Sequence, residues 1–261
     1  MLRWLKRSAS PFSPRAWCQA CQRLPLLATL TPTEATLLGE RASRFLATKR
    51  LTLHPELADT PFDDIDQLAL AGQACLLTLG WSQTEHREAF ANVHEIVILP
   101  DGFTRELEEM DEFGVVHQIK DERAGETSYQ GPVVVAYTDL AQSGDFTGFN
   151  VLIHELAHKL DMGNSMDIDG FPPLPRSLPP AQWHGVFTEV WDDLNRCVNA
   201  GIEPPIDDYA ASHPGECFAV CCEYFFTAPH TLQRAYPALY DLLCHYFNQR
   251  PLIRWESLAN A

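Results

Sequence analysis

No stretch of this 261-residue sequence approaches the roughly 18 consecutive apolar residues that a spanning helix requires, so no membrane segment is expected. Basic residues are scarce: 19 Lys and Arg stand against 35 Asp and Glu, a formal net charge of −16. That balance excludes the cationic footprint of a non-specific nucleic-acid binder and favours neutral or basic partners. The basic residues that exist are crowded at one end. Residues 1–50 hold nine Lys/Arg and two Asp/Glu, a charge of +7, while the remainder holds ten and 33, a charge of −23. No secretory signal is expected either, because the basic Met1–Arg7 stretch leads into no apolar run. A cytoplasmic, reducing compartment is therefore expected, with the eight cysteines as free thiols. Cys75, Cys217, Cys221 and Cys244 fall in apolar helical patterns, where buried thiols are common. Cys18 and Cys21 have the spacing of half a zinc ribbon, but no second pair completes one.

Apolar content of 46% and charged content of 21% are ordinary for a soluble globular chain, long enough for one good core or two small ones. The basic head, residues 1–20, reads as a solvated, flexible segment, with Ser8 to Pro14 as a Ser/Pro-rich lead-in. Thr31-Pro32-Thr33-Glu34 marks a helix start, and the helix should run to about Arg50. Thr60-Pro61 opens a second, from about Phe62 to Leu79, with a wide apolar face. His94 to Leu99 and Pro132 to Tyr137 read as strands. Residues 103–125 are acidic and weakly patterned, with one short strand expected at Val115-Val116. A helix over 148–161 follows, then a Pro/Gly/Asp-rich connector from Asp161 to Pro175 whose spacing does not match a calcium-binding EF-hand. Helices return at about 180–200, 214–227 and 231–248. Helices at 31–80, a small sheet with one helix at 93–161, and helices again at 180–248 make an α+β domain, mainly helical with a small mixed sheet.

The helix at 148–161 carries His154-Glu-Leu-Ala-His158, preceded by Asn150 as a plausible N-cap and flanked by Leu152, Ile153, Leu156, Ala157 and Leu160. Residues four apart on a helix lie one turn above each other, so His154 and His158 present two imidazoles from one face. Two such nitrogens suit adjacent corners of a zinc tetrahedron. Glu155, about 100° round the helix from His154, can lean over the metal without ligating it and take a proton from a water there. A surface helix with solvated His and Glu would also match the pentapeptide, but the apolar flanks place this one at least half in the core.

A catalytic zinc takes three protein ligands and leaves one position open. A third His six residues beyond His158 is missing, since that position is Asn164, and Asp161 stands where the extended motif has Gly. The remaining ligand is then a carboxylate on another element. Glu216, in the first turn of a helix opened by Pro214 and surrounded by Cys, Phe, Ala and Val, is the leading candidate. Glu223, seven residues on, and Asp161 are the alternatives, each better suited to holding a ligand than to being one.

Together, His154 to Asp161, Gly148-Phe149-Asn150, the Tyr209 to Val220 segment and Glu223 to Phe226 resemble the Mlc titration factor A family of bacterial zinc metallopeptidases, related to the catalytic domain of anthrax lethal factor. The resemblance covers about residues 20–255 and implies a single zincin-like domain over 21–255. It implies one zinc on His154, His158 and Glu216 in a gluzincin-like site, Glu155 as general base, and Tyr209 over the site as an oxyanion donor. It further implies aminopeptidase activity on short peptides, and binding of Mlc, a glucose-responsive repressor of phosphotransferase-system genes. A non-catalytic, repressor-sequestering protein on the same scaffold is the alternative. The strand at 132–137 is expected to accept extended substrate as an added strand, and the chain is expected to be a monomer or weak oligomer.

Overall fold

The computed structural model describes residues 3–4, 13–110, 116–123 and 125–259. Strand β1 (Arg3–Trp4) precedes helices α1 (Pro14–Arg23), α2 (Pro25–Ala28) and α3 (Pro32–Thr48). Helix α3 starts as its sequence suggests. Thr31 and Glu34 form a reciprocal capping box, which satisfies two otherwise orphaned backbone N–H groups, and Pro32 sits where no donor is needed. Strand β2 (Arg50–Leu53) follows at once, then α4 (Asp64–Leu76), capped by Asp63 and Asp66, and α5 (Gln83–Ala89). The segment expected to be flexible through residue 20 is helical from Pro14 onward. Trp17 is buried, its indole N–H donates to the Ala35 carbonyl at 2.7 Å, and Gly72 lets α1 close on α4, since a Cβ there would lie 2.9 Å from the Trp17 ring. Most of the Ser8–Pro14 lead-in lies outside the described residues.

Strand β3 (Glu95–Leu99) is followed by β4 (Phe103–Met110) and β5 (Val116–Arg123), an antiparallel hairpin where one short strand is expected at Val115-Val116. Val116 opens β5, and Val115 lies outside the described residues. The hairpin escapes a pattern search because its strands carry charge on both alternating sets of positions, so no apolar period marks them. Strands β6 (Gly125–Thr127) and β7 (Val133–Ala136) complete the main sheet, whose order is β1-β2-β3-β7-β6. β2, β3 and β7 run parallel, with β1 and β6 antiparallel at the edges, so the sheet is mixed. β7 is paired on both sides and has no edge for a substrate strand; the edge on that side belongs to β6.

Helix α6 (Tyr137–Gln142) leads to α7 (Val151–Asp161), which packs on β6, β7, α4 and the later helix α9. Lys159 of α7 is fully buried and caged by carbonyls: its Nζ donates to Ser128 at 2.6 Å and Gly131 at 2.9 Å, with Asn92 and Tyr129 at 3.3 and 3.4 Å. Burial lowers its pKa to about 8. These bonds fasten the β6–β7 connection to α7.

Helices α8 (Pro180–Asn199), α9 (Pro214–Thr227), α10 (Pro229–Ala235), α11 (Pro237–Phe247) and α12 (Pro251–Ala259) close the molecule. The single helix expected over 231–248 is two, broken at Tyr236-Pro237. Proline offers no backbone N–H and disfavours the helical conformation in the residue before it, and Tyr236 accordingly has φ −134° and ψ 70°. One contiguous apolar cluster runs from Trp17 to Phe247. All eight cysteines are unbridged, with Cys75, Cys217, Cys221, Cys222 and Cys244 buried. No helix among the described residues is long and apolar enough to cross a membrane.

Two glycines provide opposite stability tests. A Cβ at Gly80 would lie 2.2 Å from the Asn248 carbonyl oxygen and 2.4 Å from that of Phe247, both backbone atoms. Gly80→Ala should lower stability by about 1–3 kcal/mol, the usual range for overpacking. Gly185 lies exposed within α8 with nothing inside 4 Å of such a Cβ. Gly185→Ala should raise stability by about 0.5–1 kcal/mol through helix propensity. Urea unfolding midpoints measure both, and a Gly80→Ala protein as stable as wild type would contradict the packing described.

Candidate metal centre

Helix α7 is set at its first turn by Asn150, extended at φ −161° and ψ 97°, whose Oδ1 accepts from the Ile153 N–H at 3.0 Å. The chain enters this cap through Gly148 at φ +93°, a left-handed conformation in which a Cβ would also strike the Tyr224 ring at 2.9 Å. From this fixed start, the four-residue spacing brings the His154 and His158 rings to a centroid distance of 4.8 Å and their Nε2 atoms to 3.2 Å.

Glu216 arrives from α9. Pro214 occupies the first helical position, and the N-cap His213 accepts from the Gly215 N–H at 3.2 Å. The Glu216 Oε2 then lies 2.9 Å from His154 Nε2 and 3.2 Å from His158 Nε2. Ligands about 2.0–2.1 Å from a tetrahedral zinc lie roughly 3.3 Å apart. The observed triangle, with edges of 2.9, 3.2 and 3.2 Å, is close to one face of that tetrahedron. Among the described residues, His154, His158 and Glu216 are the one group of His, Cys, Asp or Glu side chains that could hold a metal ion. Burial works to raise the Glu216 carboxyl, but hydrogen bonds from the two imidazoles outweigh it and hold the group well below the usual carboxylate range.

Glu223 binds the back of the site. Its Oε1 lies 2.8 Å from His154 Nδ1, and its Oε2 accepts the Asn150 backbone N–H at 2.5 Å. With Nδ1 donating to Glu223, a metal in place of the Nε2 proton would meet a lone pair aimed toward Glu216 and His158, the orientation a ligand needs. Burial lowers the His154 pKa, but hydrogen bonds to Glu216 and Glu223 more than offset it and place the imidazole well above its ordinary value.

Asp161, at the end of α7, is fully buried and lies away from the triad. Its Oδ2 accepts from the Gly170 N–H at 2.8 Å, and burial raises its pKa to about 7. The connector after α7 is thus pinned rather than loosely solvated: Trp183 donates its indole N–H to the Gly170 carbonyl at 2.9 Å. A Cβ on Gly215 would lie 2.6 Å from the Ile168 carbonyl oxygen, so the connector rests on the first turn of α9, where Glu216 begins.

Glu155 is 3% exposed, and its charge acts on both His154 and Lys159, favouring their protonated forms. Tyr209 lies in the 3-10 turn Asp208–Ala211, capped by Asp207, whose Oδ1 accepts the Tyr209 N–H at 2.9 Å. Its ring centroid is 6.1 Å from that of His154, and the side chain is 43% exposed, so it stands at the open side of the site. The structure thus brings His154, His158, Glu216, Glu155, Tyr209 and Glu223 together and leaves Asp161 as a strut. Sequence reasoning does not anticipate the buried Gln73 of α4, which reaches Asn150; the one signal is an amide inside the apolar run Leu68–Leu77.

Comparison with known proteins agrees with this geometry. A family model described as glucose-regulated metallo-peptidase M90 matches residues 2–248. Mlc titration factor A of Klebsiella pneumoniae (strain 342) is 37% identical over 258 residues, covering 96% of this chain and 92% of that protein. Mlc titration factor A of Yersinia pestis (strain Pestoides F) is 35% identical over 268 residues, covering 100% of this chain and 96% of that protein. With the match running through the metal-competent triad and nearly the whole chain, this protein belongs to the glucose-regulated metallo-peptidase M90 family.

Proposed function

We propose that this chain is a zinc-dependent peptidase, an aminopeptidase on short peptides, acting in the cytoplasm with one zinc on His154, His158 and Glu216. The observation that carries the reading is the convergence of those three donor atoms within 3.2 Å of one another, with Glu155 buried on the same helix. A bound zinc supplies Lewis acidity, polarising a peptide carbonyl and bringing the pKa of a water toward about 7. Glu155 takes the proton from the attacking water and hands it to the departing amine. The Tyr209 hydroxyl, on the solvent side of His154, donates to the oxygen that becomes negative as the carbonyl is attacked. Glu223 and Asn150 keep His154 oriented throughout. An extended substrate pairs with the edge of β6 that has no partner strand among the described residues, next to α7, and not with β7.

The names of the relatives favour a second role beside this one, binding of the repressor Mlc. A net charge of −16 suits a basic partner surface, and such binding needs no chemistry.

Metal analysis with aminoacyl-anilide hydrolysis is the primary test. Wild type should carry one zinc per chain, and Glu216→Ala should lose it; a Glu216→Ala protein with full zinc would remove Glu216 from the ligand set and leave Glu223 as the nearest carboxylate. Glu155→Gln should keep zinc and lose about 10²–10⁴-fold in kcat; hydrolysis at the wild-type rate would sink the proposed mechanism. Tyr209→Phe should lower kcat about 10²-fold or more with little change in KM. If KM rises and kcat holds, Tyr209 binds substrate and does not stabilise the oxyanion. For the second role, the metal-loaded protein should retain purified Mlc in a pull-down at physiological salt, and Glu155→Gln should retain it equally. Failure of both to capture it leaves the peptidase alone.

A further inference from the structure

Helix α4 is apolar along Leu68 to Leu76 except at one position. Gln73 is 2% exposed, between Leu70, Ala71, Ala74 and Cys75. A buried amide needs a partner, and the partner here is specific: Gln73 Oε1 accepts from Asn150 Nδ2 at 2.7 Å. The Asn150 amide cannot face the other way. Its Oδ1 already takes the Ile153 N–H at 3.0 Å, and a flipped amide would set donor against donor there while presenting an oxygen to the Gln73 oxygen.

From Asn150 the hydrogen bonds continue. Its backbone N–H donates to Glu223 Oε2 at 2.5 Å, and Glu223 Oε1 is 2.8 Å from His154 Nδ1. The opposite nitrogen of that ring is 2.9 Å from Glu216. One buried chain thus runs from α4 through the α7 cap and α9 to an atom of the metal triad. Gln73 and His154 are 81 residues apart in sequence, and no link between them is local.

We propose that Gln73 is a positioning residue for the metal centre. Resting on the zinc reading above, its role is to lock the Asn150 cap so that the residue-150 N–H stays on Glu223, which in turn holds the tautomer and direction of His154. The extended Asn150 backbone, entered through the left-handed Gly148, is the point at which a loosened side chain would reach the metal site. The helical N-terminal part of the chain then contributes directly to metal affinity, and not only to the core.

The test uses the full chain as wild type, Gln73→Met, Gln73→Glu, Asn150→Ser and the Gln73→Met/Asn150→Ser double variant. Zinc affinity is read by chelator competition, ligand geometry by the visible spectrum of the cobalt-substituted protein, and fold by the Tm of the metal-free protein. Gln73→Met should weaken zinc binding about tenfold, the lower end of the range for partners that orient a ligating His, and should alter the cobalt spectrum. Asn150→Ser keeps a capping oxygen but loses the amide that reaches Gln73, and should weaken binding comparably. The double variant should lose no more than the worse single, because both break the same link. Gln73→Glu keeps an acceptor oxygen and should restore most of the affinity. Wild-type zinc affinity and spectrum in Gln73→Met, with or without a lower metal-free Tm, would overturn the proposal, as would additive losses in the double variant. If Gln73→Met does not fold, Asn150→Ser alone decides: unchanged zinc affinity there overturns the proposal. A wild-type protein that takes up no zinc overturns the peptidase reading and this one with it, whereas zinc-bound wild type with unchanged variants overturns this one alone.

Discussion

Two imidazole nitrogens and a carboxylate oxygen, all carrying lone pairs, are held within 3.2 Å of each other in a largely buried site. Protonated imidazoles attract the carboxylate, but those hydrogen bonds do not by themselves bring two helices to one placement. Without a cation or a shared proton, the three groups repel, and burial removes the water that would otherwise separate them. The triad therefore exists because the surrounding structure fixes two helices, α7 and α9, at one relative placement. Each contributes a rigid starting point: the Asn150 cap behind Gly148 for α7, and the His213-Pro214 start for α9.

Several buried polar groups outside the triad share the task of keeping those helices in place. Lys159 gathers the carbonyls of residues 128, 129 and 131, so the sheet edge moves with α7. Asp161 takes the Gly170 N–H, so the connector that presses on the first turn of α9 is tied to the last residue of α7. Glu223 spans from α9 to the cap of α7 and to His154 at once. A cation, an acid and a hydrogen-bonded carboxylate are each expensive to bury, and each is placed where it joins α7 to a different neighbour. Packing alone, being non-directional, would tolerate small rotations of α7 that these bonds do not.

What sequence reasoning reaches and what it does not divides along the same line. His154, His158, Glu155 and the Asn150 cap are legible because their relations are local, one turn apart on a single helix. Glu216 is legible as an acid in an apolar context just after Pro214. The tie between Asp161 and Gly170 and the cage around Lys159 are not, because the sequence marks Asp161 only as a possible support for a ligand and Lys159 only as a polar helix residue until tertiary contacts are known. Among the secondary elements, β2 is too short to show a period, and β4 and β5 are too polar on both faces. The break at Pro237 had a visible signal, but the continuous apolar pattern on either side of it favours one long helix. The parallel order β2-β3-β7, and with it the loss of β7 as a substrate edge, follows from strand pairing across about 80 residues, which no local pattern encodes.

The segment from Asp207 to Glu223 shows how economically the site is built. It provides Tyr209 from a capped 3-10 turn, Glu216 from the first helical turn and Glu223 two turns later. Seven helical residues separate the two carboxylates by about 10 Å along the axis, while long side chains allow both to lean toward a group between them. That group is the His154 ring, with Glu216 2.9 Å from one nitrogen and Glu223 2.8 Å from the other. The imidazole is thereby held at both ends by a single helix, and its rotation about the Cβ bond is restrained by two fixed acceptors. With His154 so held, His158 follows from the pitch of α7 alone. Tyr209, from the turn before the helix, places its ring 6.1 Å from that of His154 and stays partly exposed, while Glu155 is buried on α7.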